Sequence, residues 1–260
     1  MPQPPTTLTK AKPAFASLIT LRDIQALAAV YSGKADHLFL HIPKNAGVSM
    51  RRTRELRWKM VGVHRQFLRD RRYLRDLLQT MGDANEHHGI AHARLRDVKP
   101  WLAARLTPVA VIRNPWARTV SRYRFAQMAA QQGNSFNSAR VMSFEAFLDT
   151  RFADGNKPFF WHRAVRGWYP QRDYVVDDDG NIAADLLRQE HLGDEARAYF
   201  DLAKPLERRN TTRTDAAQDW KSHYTAKTIQ DIADWYADDI DSFGFDFDTS
   251  ATRNTWATPA

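Results

Sequence analysis

A lysine, a glycine and a serine fall within six residues where an apolar run ends, in HLFLHIPKNAGVSM at 37–50. Those side chains suit an anion. Lys44 brings a full positive charge, Gly47 lets the backbone approach closely, and Ser49 offers a hydroxyl. A second anion-shaped stretch is TPVAVIRNPWARTVSRYRFAQMAA, from Thr107, where Arg113 follows an apolar run. Its planar fork matches a phosphate dianion. Ser121 lies eight residues on and reaches the same anion if the helix carrying it runs beside the ligand. Proton transfer is the third chemistry on offer. EHHGIAHARLRDV holds three of the nine histidines within six residues, among them His88 and His92, with Glu86 beside them. A neutral imidazole near its usual pKa suits deprotonation of a hydroxyl at neutral pH.

These residues need elements to place them. Leu38, Phe39, Leu40 and Ile42 predict a short buried strand ended by Pro43, and the sequence from Val48 through Gly62 predicts a helix. A strand, a turn and a helix start together expose unpaired N–H groups at the positive end of a dipole. Val109 to Ile112 predict a second strand. Asn114 is then a helix cap and Pro115 the first helical residue, which puts Arg113 at the carboxyl end of the strand, where ligands bind in open α/β sheets. LRDIQALAAVYSG predicts a short helix stopped by Gly33, residues 51–105 a mostly helical, arginine-rich stretch, and VVDDDGNIAADLL a hairpin turning at Asp179-Gly180. If residues 88–92 are helical, His88 and His92 share a face. The loop order excludes an ordinary nucleotide-hydrolase loop, in which the lysine follows the glycines; here Lys44 precedes Gly47.

HIPKNAGVS resembles the 5′-phosphosulfate loop of sulfotransferases that use 3′-phosphoadenosine 5′-phosphosulfate (PAPS). RNPWARTVSRY resembles their 3′-phosphate motif through Arg113, Asn114, Pro115, Arg118, Ser121 and Tyr123. The loop is most similar to that of bacterial and Golgi-type carbohydrate sulfotransferases. WYPQRDYVVDDDGN, LLRQEHL, RRNTT and the C-terminal helix extend the likeness over about residues 36 to 248, although Gln189 and His191 replace the more usual Phe and Asn. The resemblance implies an α/β, P-loop-like three-layer fold with a central parallel sheet flanked by helices. It implies PAPS as co-substrate and adenosine 3′,5′-bisphosphate as product. Lys44, Asn45, Ala46, Gly47, Val48 and Ser49 are implied to hold the 5′-phosphosulfate, and Arg113 and Ser121 the 3′-phosphate. Arg209, Asn210 and Thr211 are implied to close over the nucleotide. Lys44 would neutralise charge growing on the leaving phosphate, with His88 first and His92 second as the base, and Glu86 as an alternative. The acceptor implied is a carbohydrate or other glycoconjugate. No metal ion is implied, since a sulfuryl group carries less charge than a phosphoryl group.

The 260 residues suffice for one core, and residues 21–260 are expected to form a single domain behind a Pro- and Thr-rich segment, 1–20, expected to be poorly ordered. The net charge of +8 suits an anionic cofactor and an acidic glycan. Nucleic acid is a poorer partner, because no zinc-ligand spacing, basic zipper or RNP-like aromatic signature is present. Zero cysteines exclude disulfides and thiol catalysis. No apolar run approaches 18 residues and the first residues do not pattern as a signal peptide, so a cytoplasmic enzyme is expected. Phe159, Phe160, Trp161, Trp168 and Tyr169, among Arg163, Arg166 and Arg172, fit either a sugar-stacking surface or a core under a loop. Two other functions are open on the residues alone: a nucleotide kinase-like enzyme using ATP and magnesium, and a glycan-binding protein without catalysis.

Overall fold

Four short strands, all parallel, carry the centre of the molecule: β1 (His37–Leu40), β2 (Met60–Gly62), β3 (Thr107–Ile112) and β4 (Asp185–Arg188), in the order β2-β1-β3-β4. The computed structural model describes residues 21–131, 143–153, 157–163, 168–206 and 220–257. The N-terminal segment and Arg209, Asn210 and Thr211 lie outside the described residues.

Alternation along the strands explains the layers. Leu38, Leu40, Ala110, Ile112 and Leu186 face one apolar cluster, and Phe39, Val109, Val111 and Leu187 the other. A strand buried on both faces reads as a continuous apolar run, which is why VAVI shows no polar alternation. The larger cluster is closed by α1 (Leu21–Tyr31), α3 (Arg71–Asp83), α4 (Pro100–Arg105), α5 (Pro115–Gln131), α6 (Phe144–Asp149), α9 (Ala226–Trp235) and α10 (Ala237–Phe243). The smaller one is closed by α2 (Gly47–Arg52) and α8 (Leu192–Phe200). The short helix α7 (Arg172–Val175) completes the set. This is the expected α/β fold with helices on both faces of a parallel sheet.

Register brings the two anion-shaped stretches together. Leu40 pairs with Ala110, so β1 and β3 end side by side and their following loops are neighbours. Gly33 takes φ 70° just after α1 and stops it as expected. Two expectations fail. The helix predicted through Gly62 ends at Arg52, because Thr53 turns extended and Met60–Gly62 pair with β1 as an edge strand. The predicted hairpin is reduced to one antiparallel bridge, Val176 with Ile182, around the turn at Gly180 (φ 86°). Asp177 Oδ1 accepts from the backbone N–H groups of Asp179 and Asn181, which fixes that turn. The chain beyond it leaves as β4, parallel to β3.

Candidate active site

The loop after β1 is anchored by three consecutive residues. Arg118 Nε donates to the Pro43 carbonyl at 3.2 Å, and Arg113 Nη1 to the Lys44 carbonyl at 3.2 Å. Asn45 Nδ2 donates to Val111 O at 2.8 Å and to Gln171 Oε1 at 2.6 Å. Lys44 (φ 70°) and Ala46 (φ 56°) are both left-handed, a conformation that costs a non-glycine residue on the order of 1–3 kcal/mol and persists only where the surroundings enforce it. Ala46 opens α2, with Met50 N–H donating to its carbonyl. Gly47 is small by necessity, since a Cβ there would fall 2.0 Å from His41 Nε2. Val48 is half-buried and Ser49 buried in the first turn of α2.

The end of β3 is organised by its own cap. Asn114 Oδ1 accepts from Trp116 and Ala117 N–H at 3.1 and 3.2 Å, while Asn114 N–H donates to Glu190 Oε1 at 2.9 Å. The helix that follows, α5, presents Arg118, Ser121, Arg122 and Phe125 at spacings of three and four, which is one face. Arg118 is fully buried, its Nη1 donates to Tyr169 O at 3.0 Å, and its Nη2 has no hydrogen-bond partner among the described residues. Lys44 Nζ lies 4.2 Å from the centre of the Phe125 ring. Burial first, then the positive charges of Arg113 and Arg122, lower this ammonium to about 8. Burial likewise lowers Arg122 to about 10. The structure thus converges several cations on one place, and like charges held together in a half-buried site are relieved by an anion.

The histidines separate. Gly89 is left-handed (φ 65°) and Ile90–His92 is a single 3₁₀ turn, so His88 and His92 share no helical face. His92 is the one at the loop: its Nδ1 is 2.9 Å from His41 O, and the two rings are centred 4.4 Å apart. A carbonyl only accepts, so Nδ1 carries the proton and Nε2 keeps its lone pair. His88 Nδ1 accepts from Ile90 N–H at 3.1 Å, which puts the neutral ring's proton on Nε2. Its ring packs against His87. Burial drops both His88 and His92 to about 4, not the ordinary value expected from the sequence. Glu86 Oε2 accepts from Trp161 Nε1 at 3.0 Å.

Residues 28–246 match the model of the sulfotransferase family. The chain belongs to the sulfotransferase family. No curated protein and no solved structure matches it.

Several residues of this sulfotransferase that shape the site were not singled out for a role in the sequence. His41 supplies both the ring that dictates Gly47 and the carbonyl that orients His92; it stood in the loop motif, but its partner is 51 residues away. Arg122 lies one turn beyond Arg118, on the face its spacing already marked. Gln171 stands in WYPQRDY and Asp239, which holds it, in the C-terminal helix; both segments carry the resemblance, but no local pattern marks a role for either residue. The aromatic segment resolves in favour of the core. Phe160 and Trp168 are 1 % exposed, and Phe159, Trp161 and Tyr169 are also buried. Arg163 and Arg172 donate to the Lys157 and Gly180 carbonyls, and Arg166 lies outside the described residues. These rings lack the free faces that stacking on a sugar requires.

Proposed function

We propose that this sulfotransferase moves the sulfuryl group of PAPS to a hydroxyl of a carbohydrate or glycoconjugate acceptor. The observation that carries the reading is the cation cluster at the adjoining ends of β1 and β3. Lys44 has no acceptor for its Nζ among the described residues, and its ammonium is held down by burial and by Arg113 and Arg122. A doubly phosphorylated donor fits that cluster, since it brings anions to two neighbouring strand ends. The donor supplies an activated sulfuryl group on a phosphate leaving group. Lys44 to Ser49 hold its 5′ end, and Arg113 with Ser121 its 3′-phosphate. Arg209, Asn210 and Thr211, outside the described residues, are carried in this reading as the segment over the nucleotide.

The chain's own chemistry is then assigned. His92 Nε2 takes the proton of the acceptor hydroxyl as its oxygen bonds to sulfur. Lys44 Nζ neutralises the charge left on the bridging oxygen as the sulfur–oxygen bond to phosphate breaks. His92 is favoured over His88 because the carbonyl of His41 leaves it the lone pair that a base needs. At about 4 it is a weak base in equilibrium terms, but it stays neutral across the physiological range. The described residues contain no helix long and apolar enough to cross a membrane. A cytoplasmic setting remains the expectation.

Turnover of labelled PAPS on a panel of neutral and acidic glycans tests the reading, alongside calorimetry with adenosine 3′,5′-bisphosphate and with ATP plus magnesium. The expected result is bisphosphate binding without magnesium and label transfer to at least one glycan. Binding of ATP–magnesium in preference to the bisphosphate would overturn it in favour of the kinase-like alternative. Bisphosphate binding with no transfer to any hydroxyl would leave a binding protein instead.

A further inference from the structure

Gln171 is fully buried, and three of the four hydrogen bonds of its side chain go to the two halves of the site. Its Oε1 accepts from Arg113 N–H at 2.8 Å and from Asn45 Nδ2 at 2.6 Å. Its Nε2 donates to Arg113 O at 2.8 Å and to Asp239 Oδ2 at 3.2 Å. One amide therefore joins the loop after β1 to the end of β3. The amide is itself held. Asp239, fully buried on α10, accepts from Gln171 N–H with Oδ2 at 2.9 Å and from Arg172 N–H with Oδ1 at 2.8 Å. We infer that Asp239 and Gln171 are positioning residues, a buried strut that sets the spacing between the anion sites of β1 and β3 and thereby the preference for a nucleotide with two phosphates.

The argument starts from the cost of the carboxylate. A buried charge is expensive, and a buried ion pair replaced whole by apolar groups is often neutral or stabilising for the fold, so a buried carboxylate is weak evidence of a purely stabilising role. Asp239 carries such a cost: burial raises its acid to about 6, opposed by the charge of Arg118 on α5 and the N–H groups of Gln171 and Arg172. Tyr236, at the start of α10, also feels its charge. What the carboxylate gains is geometry. Two oxygens accepting from two successive backbone N–H groups fix Gln171 in both position and rotation. A neutral amide in its place would turn a donor toward one of those N–H groups. Gln171, so fixed, holds Asn45 and Arg113 at one separation, and two anion sites at a fixed separation bind a matching bisphosphate with an advantage that neither site has alone. The inference rests on the donor reading above, because it takes the two strand ends as the two phosphate sites.

Calorimetry on the full-length wild type and Asp239→Asn, with adenosine 3′,5′-bisphosphate and adenosine 5′-phosphate, separates the possibilities. The quantity read is the ratio of the two dissociation constants. In the variant that ratio should shrink by about tenfold while the monophosphate affinity holds within about twofold, the pattern of lost preorganisation. The melting temperature should hold to within about 4 °C, the shift that about 1 kcal/mol produces in a chain of this size. An unchanged ratio overturns the strut. A parallel fall in both affinities together with the melting temperature also overturns it, by showing a role in the fold alone. Should Asp239→Asn not fold, Gln171→Met carries the same comparison, since it keeps the side chain's length and removes its hydrogen bonds. A wild type with no preference for the bisphosphate would instead defeat the donor reading, an outcome visible before any variant is made.

Discussion

The ends of β1 and β3 lie side by side and each offers a cation, yet they are built differently. At β1 the cation stands on a loop with two left-handed residues, its ammonium has no acceptor among the described residues, and a histidine is oriented by the same loop's carbonyl. At β3 the arginine leaves a strand whose next residue caps a helix of 17 residues, and both its main-chain groups are held by Gln171. Strain and low-lying proton affinity gather at the first end, rigidity at the second. In the proposed function that division separates a place where charge changes during the reaction from a place where charge is only held. Catalysis gains from groups that act more strongly on the transition state, and binding from groups that act equally throughout.

The sharpest way to break this comparison is at the histidines. His92→Ala should lower kcat on a sugar acceptor by about 10²–10⁴, the usual worth of a general base. His88→Ala, whose ring nitrogen is engaged by Ile90 N–H, should stay within a few-fold of wild type. Measured steady-state rates that reverse this order would move the base away from the β1 end. With a nitrophenol acceptor, already ionised near neutral pH, the His92 variant should recover much of its loss.

Next in size is the split between the two cations. Lys44→Ala should reduce kcat by about 10²–10³ with every acceptor, nitrophenol included, as expected for one preorganised stabilising group. Arg113→Ala should leave kcat at saturation nearly intact and weaken adenosine 3′,5′-bisphosphate by about ten- to hundred-fold, from loss of a charge-assisted contact of about 1.5–3 kcal/mol. Calorimetry on both variants decides it. Wild-type affinity in Arg113→Ala, or an equal loss of kcat in both, would erase the distinction between the two ends.

What was legible in the sequence follows the same physical line. The strand ends, the Asn114 cap and the cations Lys44 and Arg113 beside them are local patterns, so residue type and spacing reveal them, whereas the meeting of the two ends comes from the pairing of β1 with β3. β2 is three residues long and exists because it pairs with β1, which no local preference signals. His88 and His92 look equivalent in the chain. A carbonyl 51 residues away sets the tautomer of His92, and Ile90 N–H sets the opposite one in His88. The aromatic segment read equally as surface or core until its neighbours were known, because burial depends on distant chain. Asp239 is invisible for the same reason: its partner, Gln171, is 68 residues away.

The smallest effect tests whether the two ends act on one another. Lys44 titrates at about 8, lowered first by burial and then by Arg113 and Arg122. With Lys44 in the proposed role the protonated form is the active one, so kcat/KM should be level between about 4, where His92 takes up a proton, and about 8, and fall as pH rises through the latter, by up to tenfold per unit. Removing a neighbouring positive charge makes the ammonium easier to keep. Arg113→Ala should therefore move the alkaline limb of kcat/KM to higher pH, even though the same change weakens donor binding. In the wild type the limb in kcat should also lie above the limb in kcat/KM, because the bound donor's negative charge favours the ammonium. The measurement is a pair of pH–rate profiles for the wild type and the variant. An alkaline limb that stays in place when Arg113 is removed would mean either that the limb does not report Lys44 or that the ends of β1 and β3 bind their anions independently. Lys44→Ala distinguishes the two, since it should abolish the limb altogether if Lys44 is the group that titrates.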